Sequence, residues 1–145
     1  MQLGVIGLGR MGSNIARRVM RAGLGTVVYD RDPAPARTLS GEGAVAAASV
    51  ADLIAQLKPP RAVWVMLPAG DITESMIATL ASSLDKGDVV IDGGNAFWQD
   101  DIRRAALLRH KGLHYIDAGT SGGVWGLERG YCLMIGGDKE IVERL

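Results

Sequence analysis

At 145 residues, 48% of them hydrophobic and 22% charged, the chain has the size and balance of one soluble globular domain. Its 16 basic and 16 acidic residues cancel and form no basic run, which argues against a nucleic-acid binder or a polybasic membrane anchor. The apolar runs are strand-length, the start MQLGVIGLG has no basic n-region or cleavage site, and a lone cysteine excludes an internal disulfide, so a cytoplasmic location is expected.

The first apolar run, QLGVI at 2–6, reads as a strand feeding directly into GLGRMG and then a helical period over 10–22. Gly7, Gly9 and Gly12 stand in the spacing Gly-x-Gly-x-x-Gly. In such a turn the first glycine allows the bend, the second lets a pyrophosphate approach the backbone, and the third lets helix pack on strand. The turn, with Leu8, Arg10 and Met11, and the positive end of the helix then hold phosphates. Alone, the pattern also fits a glycine-rich turn without a ligand. The next strand, 26–30, supplies the context that favours a ligand, because it ends on Asp30, where a carboxylate accepts hydrogen bonds from ribose hydroxyls. That charge disfavours a 2′-phosphate and points to NAD, while the adjacent Arg31 could receive one and leaves NADP open.

Asp32 is placed to cap a helix over 34–40 behind Pro33. A short strand at 43–46 and a helix over 50–57 behind Ser49 follow. The strand at 62–67 ends on Met66, Leu67 and Pro68, an apolar wall suited to a nicotinamide ring, although the first two also fit a core. Asp71 precedes a helix over 72–82. The strand at 88–92 runs into DGGN, where Asn95 offers a donor and an acceptor to a ligand or serves as a turn former. In the helix over 98–111, DDIRR at 100–104 is expected to be a solvated face. His110 and His114 lack metal-ligand spacing and acidic company, so no metal site is expected. After a strand at 113–117, Thr120, Ser121, Gly122 and Gly123 suit an anion-binding nest for a carboxylate substrate. The last strand, 131–135, places Cys132 as a small core residue, and a helix starting near Asp138 stops within two turns.

Apolar strands separated by helices, with no repeat or linker, define an α/β, Rossmann-like, doubly wound, mainly parallel sheet with helices on both faces. Residues 1–145 read as one dinucleotide-binding domain. Its ligands are expected beyond the carboxyl ends of the strands.

The stretches GVIGLGRMGSNIARRV, VVYDRDP, AVWVMLPAGD, VVIDGGN and HYIDAGTSGGVWGLERGYCLMIGG together resemble the N-terminal domain of the 6-phosphogluconate dehydrogenases, within the wider 3-hydroxyacid dehydrogenase family. The last two are the specific ones. The resemblance implies oxidation of 6-phosphogluconate at C3 by hydride transfer to NAD or NADP, then decarboxylation to ribulose 5-phosphate. It further implies that Asn95 serves nicotinamide and substrate, and that Ser121, Gly122 and Gly123 contact substrate. Trp125 then walls the site, packs on a second domain, or is simply core. Val124 and Trp125 replace acidic residues common in the family, and Ala96 replaces a serine, which points to the short, NAD-preferring form. The family's general-base lysine, its helical catalytic and dimerisation domain, and hence homo-oligomerisation are expected beyond Leu145, so no catalytic residue is assigned within this chain. The competing readings are a 3-hydroxyisobutyrate or tartronate semialdehyde dehydrogenase, and a dinucleotide-binding module without catalysis.

Overall fold

The computed structural model describes residues 1–145. In chain order the elements are β1 (Gln2–Ile6), α1 (Arg10–Arg21), β2 (Gly25–Tyr29), α2 (Pro33–Gly41), β3 (Val45–Ala46), α3 (Val50–Gln56), β4 (Ala62–Val65), α4 (Asp71–Ser83), β5 (Val89–Asp92), α5 (Trp98–His110), β6 (His114–Ser121), α6 (Gly126–Arg129), β7 (Cys132–Gly136) and α7 (Lys139–Arg144). They build one seven-stranded sheet in the order β3-β2-β1-β4-β5-β6-β7. The first six strands are parallel and β7 is antiparallel to β6. The chain starts in the middle of the sheet, winds outward to β3, then returns to wind the other way from β4. This is a Rossmann-like, doubly wound fold with its switch point between β1 and β4.

Side-chain alternation along the strands divides the core between the two faces. Leu3 and Val5, with Val28, Trp64 and Ile91, pack against α1, α2 and α7 through Ile15, Leu39 and Ile141. Ile6, with Val27, Val63, Val65 and Val90, packs against α3, α4 and α5 through Leu53, Ile77, Leu80 and Leu108. Both faces of the inner strands are thereby buried, which is why those strands read as unbroken apolar runs. No helix is long and apolar enough to cross a membrane.

Local chemistry sets the helix starts. Asp32 accepts the Ala34 N–H at 3.0 Å and Ser49 accepts the Asp52 N–H at 3.0 Å, so both side chains cap as their position suggested. Asp71 differs: Gly70 occupies the cap and Asp71 is the first helical residue, where with Glu74 it complements the helix dipole. The largest departure is β6, which was expected to stop at residue 117 and instead runs to Ser121. Antiparallel β7 pairs Asp117 with Gly136 through to Ser121 with Cys132, and this ladder holds the extra residues extended. Because β7 is the sheet edge, Cys132 is exposed rather than a core residue.

Candidate dinucleotide-binding site

At the switch point the carboxyl ends of the strands open into a cleft of about 640 Å³. The turn after β1 forms its floor. Gly7 has φ 89, and a Cβ there would overlap the Met66 carbonyl oxygen. A Cβ on Gly12 would overlap the carbonyl oxygen of Gly7, whereas one on Gly9 would meet nothing within 4 Å. Glycine at 7 and 12 therefore closes the turn, and glycine at 9 keeps space open above the backbone. Gly9 caps α1 with no side-chain bond, and the first turn carries no acidic residue. The unpaired N–H groups at that end, backed by the helix dipole, are left for an anion at the lining residues Gly9, Arg10, Met11 and Gly12.

Asp30 lies just beyond β2 and lines the same cleft with the exposed Arg31. Its Oδ2 accepts the Leu8 N–H at 2.6 Å and its Oδ1 accepts the Asp32 N–H at 3.0 Å. Leu8 is buried and lies outside the lining, so what it contributes is this main-chain bond between the two turns. Across the cleft stand Met66, Leu67 and Pro68, the first two half-buried, and at the far end Asn95, which is exposed. The cleft also takes in Ile6, Tyr29, Ile72, Met76 and Gly94, which sequence reasoning had not singled out. Ile72 and Met76 stand four apart on α4 and so share one face, a spacing that carried the signal once the preceding turn was placed.

Ser121, Gly122 and Gly123 lie outside the cleft. β6 runs four residues past Asp117, the partner of Asp92 at the end of β5, so Ser121 stands about 13 Å beyond the β5 end. Gly122 and Gly123 have φ 142 and 50, and the Tyr131 ring packs against Gly122 and Gly126. The Thr120 hydroxyl donates to the Ala118 carbonyl at 2.9 Å. Trp125 is 64% exposed, with the Arg129 guanidinium 5.3 Å from its ring, so it is not a core residue.

Beneath the turn after β5 sits a cluster that corrects the expected solvated face at 100–104. Asp101 and Arg104 are buried, Arg104 to 1% exposure, while the neighbouring Arg103 is exposed. Arg104 Nη1 bonds Asp92 at 3.2 Å and Asp101 at 3.4 Å, and its Nε bonds Glu74 at 3.0 Å. The Tyr115 hydroxyl donates between Asp101, at 2.8 Å, and Asp92, at 3.0 Å. Burial pushes the Asp92 carboxyl up, against the bonds it accepts from Gly94 and Tyr115. Hydrogen bonds from Arg103 and then Arg104 outweigh desolvation and hold Glu74 at about 2.

A switch-point cleft floored by a Gly-x-Gly-x-x-Gly turn, with an acidic side chain at the end of β2, defines a Rossmann dinucleotide-binding domain. The family model for the NAD binding domain of 6-phosphogluconate dehydrogenase matches residues 2–145, and the chain belongs to that family. It is 42% identical over 145 residues to the NAD(+)-dependent, decarboxylating 6-phosphogluconate dehydrogenase of Haloferax volcanii, covering 100% of this chain and 48% of that relative. The structure of Plasmodium falciparum 6-phosphogluconate dehydrogenase, described with NADP+ and with 6-phosphogluconate, superimposes with a TM-score of 0.91 at 30% identity, over 99% of this chain and 32% of that one. The 3-hydroxyisobutyrate dehydrogenase of Salmonella typhimurium gives 0.89 at 28% identity, over 100% and 51%. The chain thus spans about half the length of its Haloferax relative.

Proposed function

We propose that this chain is the NAD-preferring cofactor domain of a decarboxylating 6-phosphogluconate dehydrogenase. The carrying observation is the Asp30 carboxylate, fixed at the cleft by the N–H groups of Leu8 and Asp32. A negative charge held there accepts ribose hydroxyls and repels a 2′-phosphate. The glycine turn and the start of α1 take the pyrophosphate, with Arg10 beside it; Met66, Leu67 and Pro68 lie along the nicotinamide ring; and Asn95 reaches nicotinamide and substrate. NAD, when bound, accepts the hydride released from the C3 hydroxyl carbon of 6-phosphogluconate. Ser121, Gly122 and Gly123 bind that substrate, and the lysine that takes the hydroxyl proton lies in a helical domain following Leu145, which also builds a homo-oligomer in the cytoplasm.

Titration of the chain with NADH and with NADPH tests the cofactor assignment. Tighter NADH binding is expected, falling by about 10-fold or more in Asp30→Ala as charge-assisted hydrogen bonds are lost. Preference for NADPH would transfer the specificity to Arg31. The likeness to 3-hydroxyisobutyrate dehydrogenase sustains a second reading, separated by assaying the protein extended past Leu145: carbon dioxide release from 6-phosphogluconate supports the first, turnover of 3-hydroxyisobutyrate alone the second.

A further inference from the structure

We infer that the buried cluster of Asp92, Asp101, Arg104 and Tyr115 is a positioning device that fixes the Gly93-Gly94-Asn95 turn and so presents Asn95 at the far end of the cleft. The inference rests on the reading of Asn95 as a nicotinamide and substrate contact.

The Asp92 carboxylate faces two ways. Its Oδ1 accepts the Gly94 N–H at 2.9 Å, while its Oδ2 is held from below by Arg104 and Tyr115. Asp101 completes the cage by accepting from the same two donors. The turn is closed in from the other sides as well. A Cβ on Gly93 would overlap the Trp64 indole, and one on Gly94 would lie 2.9 Å from the Leu67 carbonyl oxygen and 3.0 Å from Asp92 Oδ1. Backbone at 93 and 94 is therefore packed too closely to carry a side chain, and Asn95 is the first exposed residue beyond it.

The cluster also reaches the cleft's other wall. Arg104 bonds Glu74 of α4, and Ile72 and Met76 on the same helix line the cleft. One buried guanidinium thus joins α4, α5 and the end of β5. A buried ion cluster is a poor route to stability, because desolvation offsets much of its Coulombic gain. Its directional bonds to a functional turn are what an apolar filling of the same volume would lack.

Tyr115→Phe keeps the ring and removes the hydroxyl, and Asn95→Ala serves as reference. Each is titrated with NADH and with ADP-ribose, which lacks the nicotinamide half. Losing one orienting hydrogen bond is expected to weaken NADH about 3- to 10-fold in both variants, with ADP-ribose within about twofold of the unaltered chain. Amide exchange at Gly94, whose N–H bonds Asp92, is expected to accelerate in Tyr115→Phe and to stay unchanged at Gly9 and Gly12. Equal weakening of both ligands would mark a merely structural role and overturn the inference, as would unchanged exchange at Gly94. If Asn95→Ala itself fails to separate the two ligands, the reading of Asn95 falls and takes the inference with it; if only Tyr115→Phe fails, the inference alone is wrong.

Discussion

Gly9 and Gly12 stand three residues apart in one motif and answer to different physics. Gly9, at φ −61, sits in open space, so Gly9→Ala is expected to shift stability by less than about 1 kcal/mol while obstructing the pyrophosphate and weakening NADH about 10-fold or more. A Cβ on Gly12 strikes backbone, so Gly12→Ala is expected to destabilise the fold by about 1–3 kcal/mol as well. Denaturant unfolding beside NADH titration checks both, and equal stability losses would contradict the distinction. The steric difference between the two was legible because glycine spacing reports backbone geometry directly. The second use of Asp30, as an acceptor for Leu8, was not, since it depends on how two turns sit in space. Asp101 and Arg104 misled for a related reason: an (i, i+3) charge pair looks alike whether it faces water or a carboxylate on the preceding strand.

Among elements, α4 and α5 are clamped by Glu74 between Arg103 and Arg104. The Glu74 carboxyl is held at about 2 against an ordinary 4.5, below its unfolded value. Its contribution to stability is therefore complete above about pH 4.5 and is lost as pH falls toward about 2. Burial raises Asp92 and Asp117, which act with the opposite sign, so the test is comparative. Between about pH 5 and about pH 3 the unfolding midpoint is expected to drop further in the unaltered chain than in Glu74→Gln, and parallel slopes would contradict the clamp. The β6–β7 hairpin shows where sequence reading fell short. Gly119 and the Thr-Ser-Gly-Gly run look like turn signals, yet the antiparallel partner keeps Gly119, Thr120 and Ser121 extended and the chain turns only at Gly122. Since β7 is an edge, Cys132 is expected to react with a maleimide without denaturant; protection would contradict its exposure.

At the scale of the whole molecule, the alternation of apolar strands with helices was sufficient to specify a doubly wound sheet, because burial on both faces leaves few other arrangements. Site placement followed from topology, since the switch point gathers the turns after β1, β2, β4 and β5 at one edge. What sequence could not give is that the segment after β6 lies outside that cavity: Asn95 lines it and Ser121 does not. If the proposed function is right in placing the lysine base outside these 145 residues, they alone are expected to produce no NADH from NAD and 6-phosphogluconate, and turnover would contradict that part of the proposal. The most direct measurement is amide chemical-shift mapping with NADH. The account predicts shifts at Gly7 to Gly12, Asp30, Leu67, Gly94 and Asn95, and none at the cleft of about 440 Å³ beside Lys58, Arg61 and Arg144 at the amino ends of the strands. Shifts concentrated at that opposite edge, or absent from both Asp30 and Asn95, would contradict it.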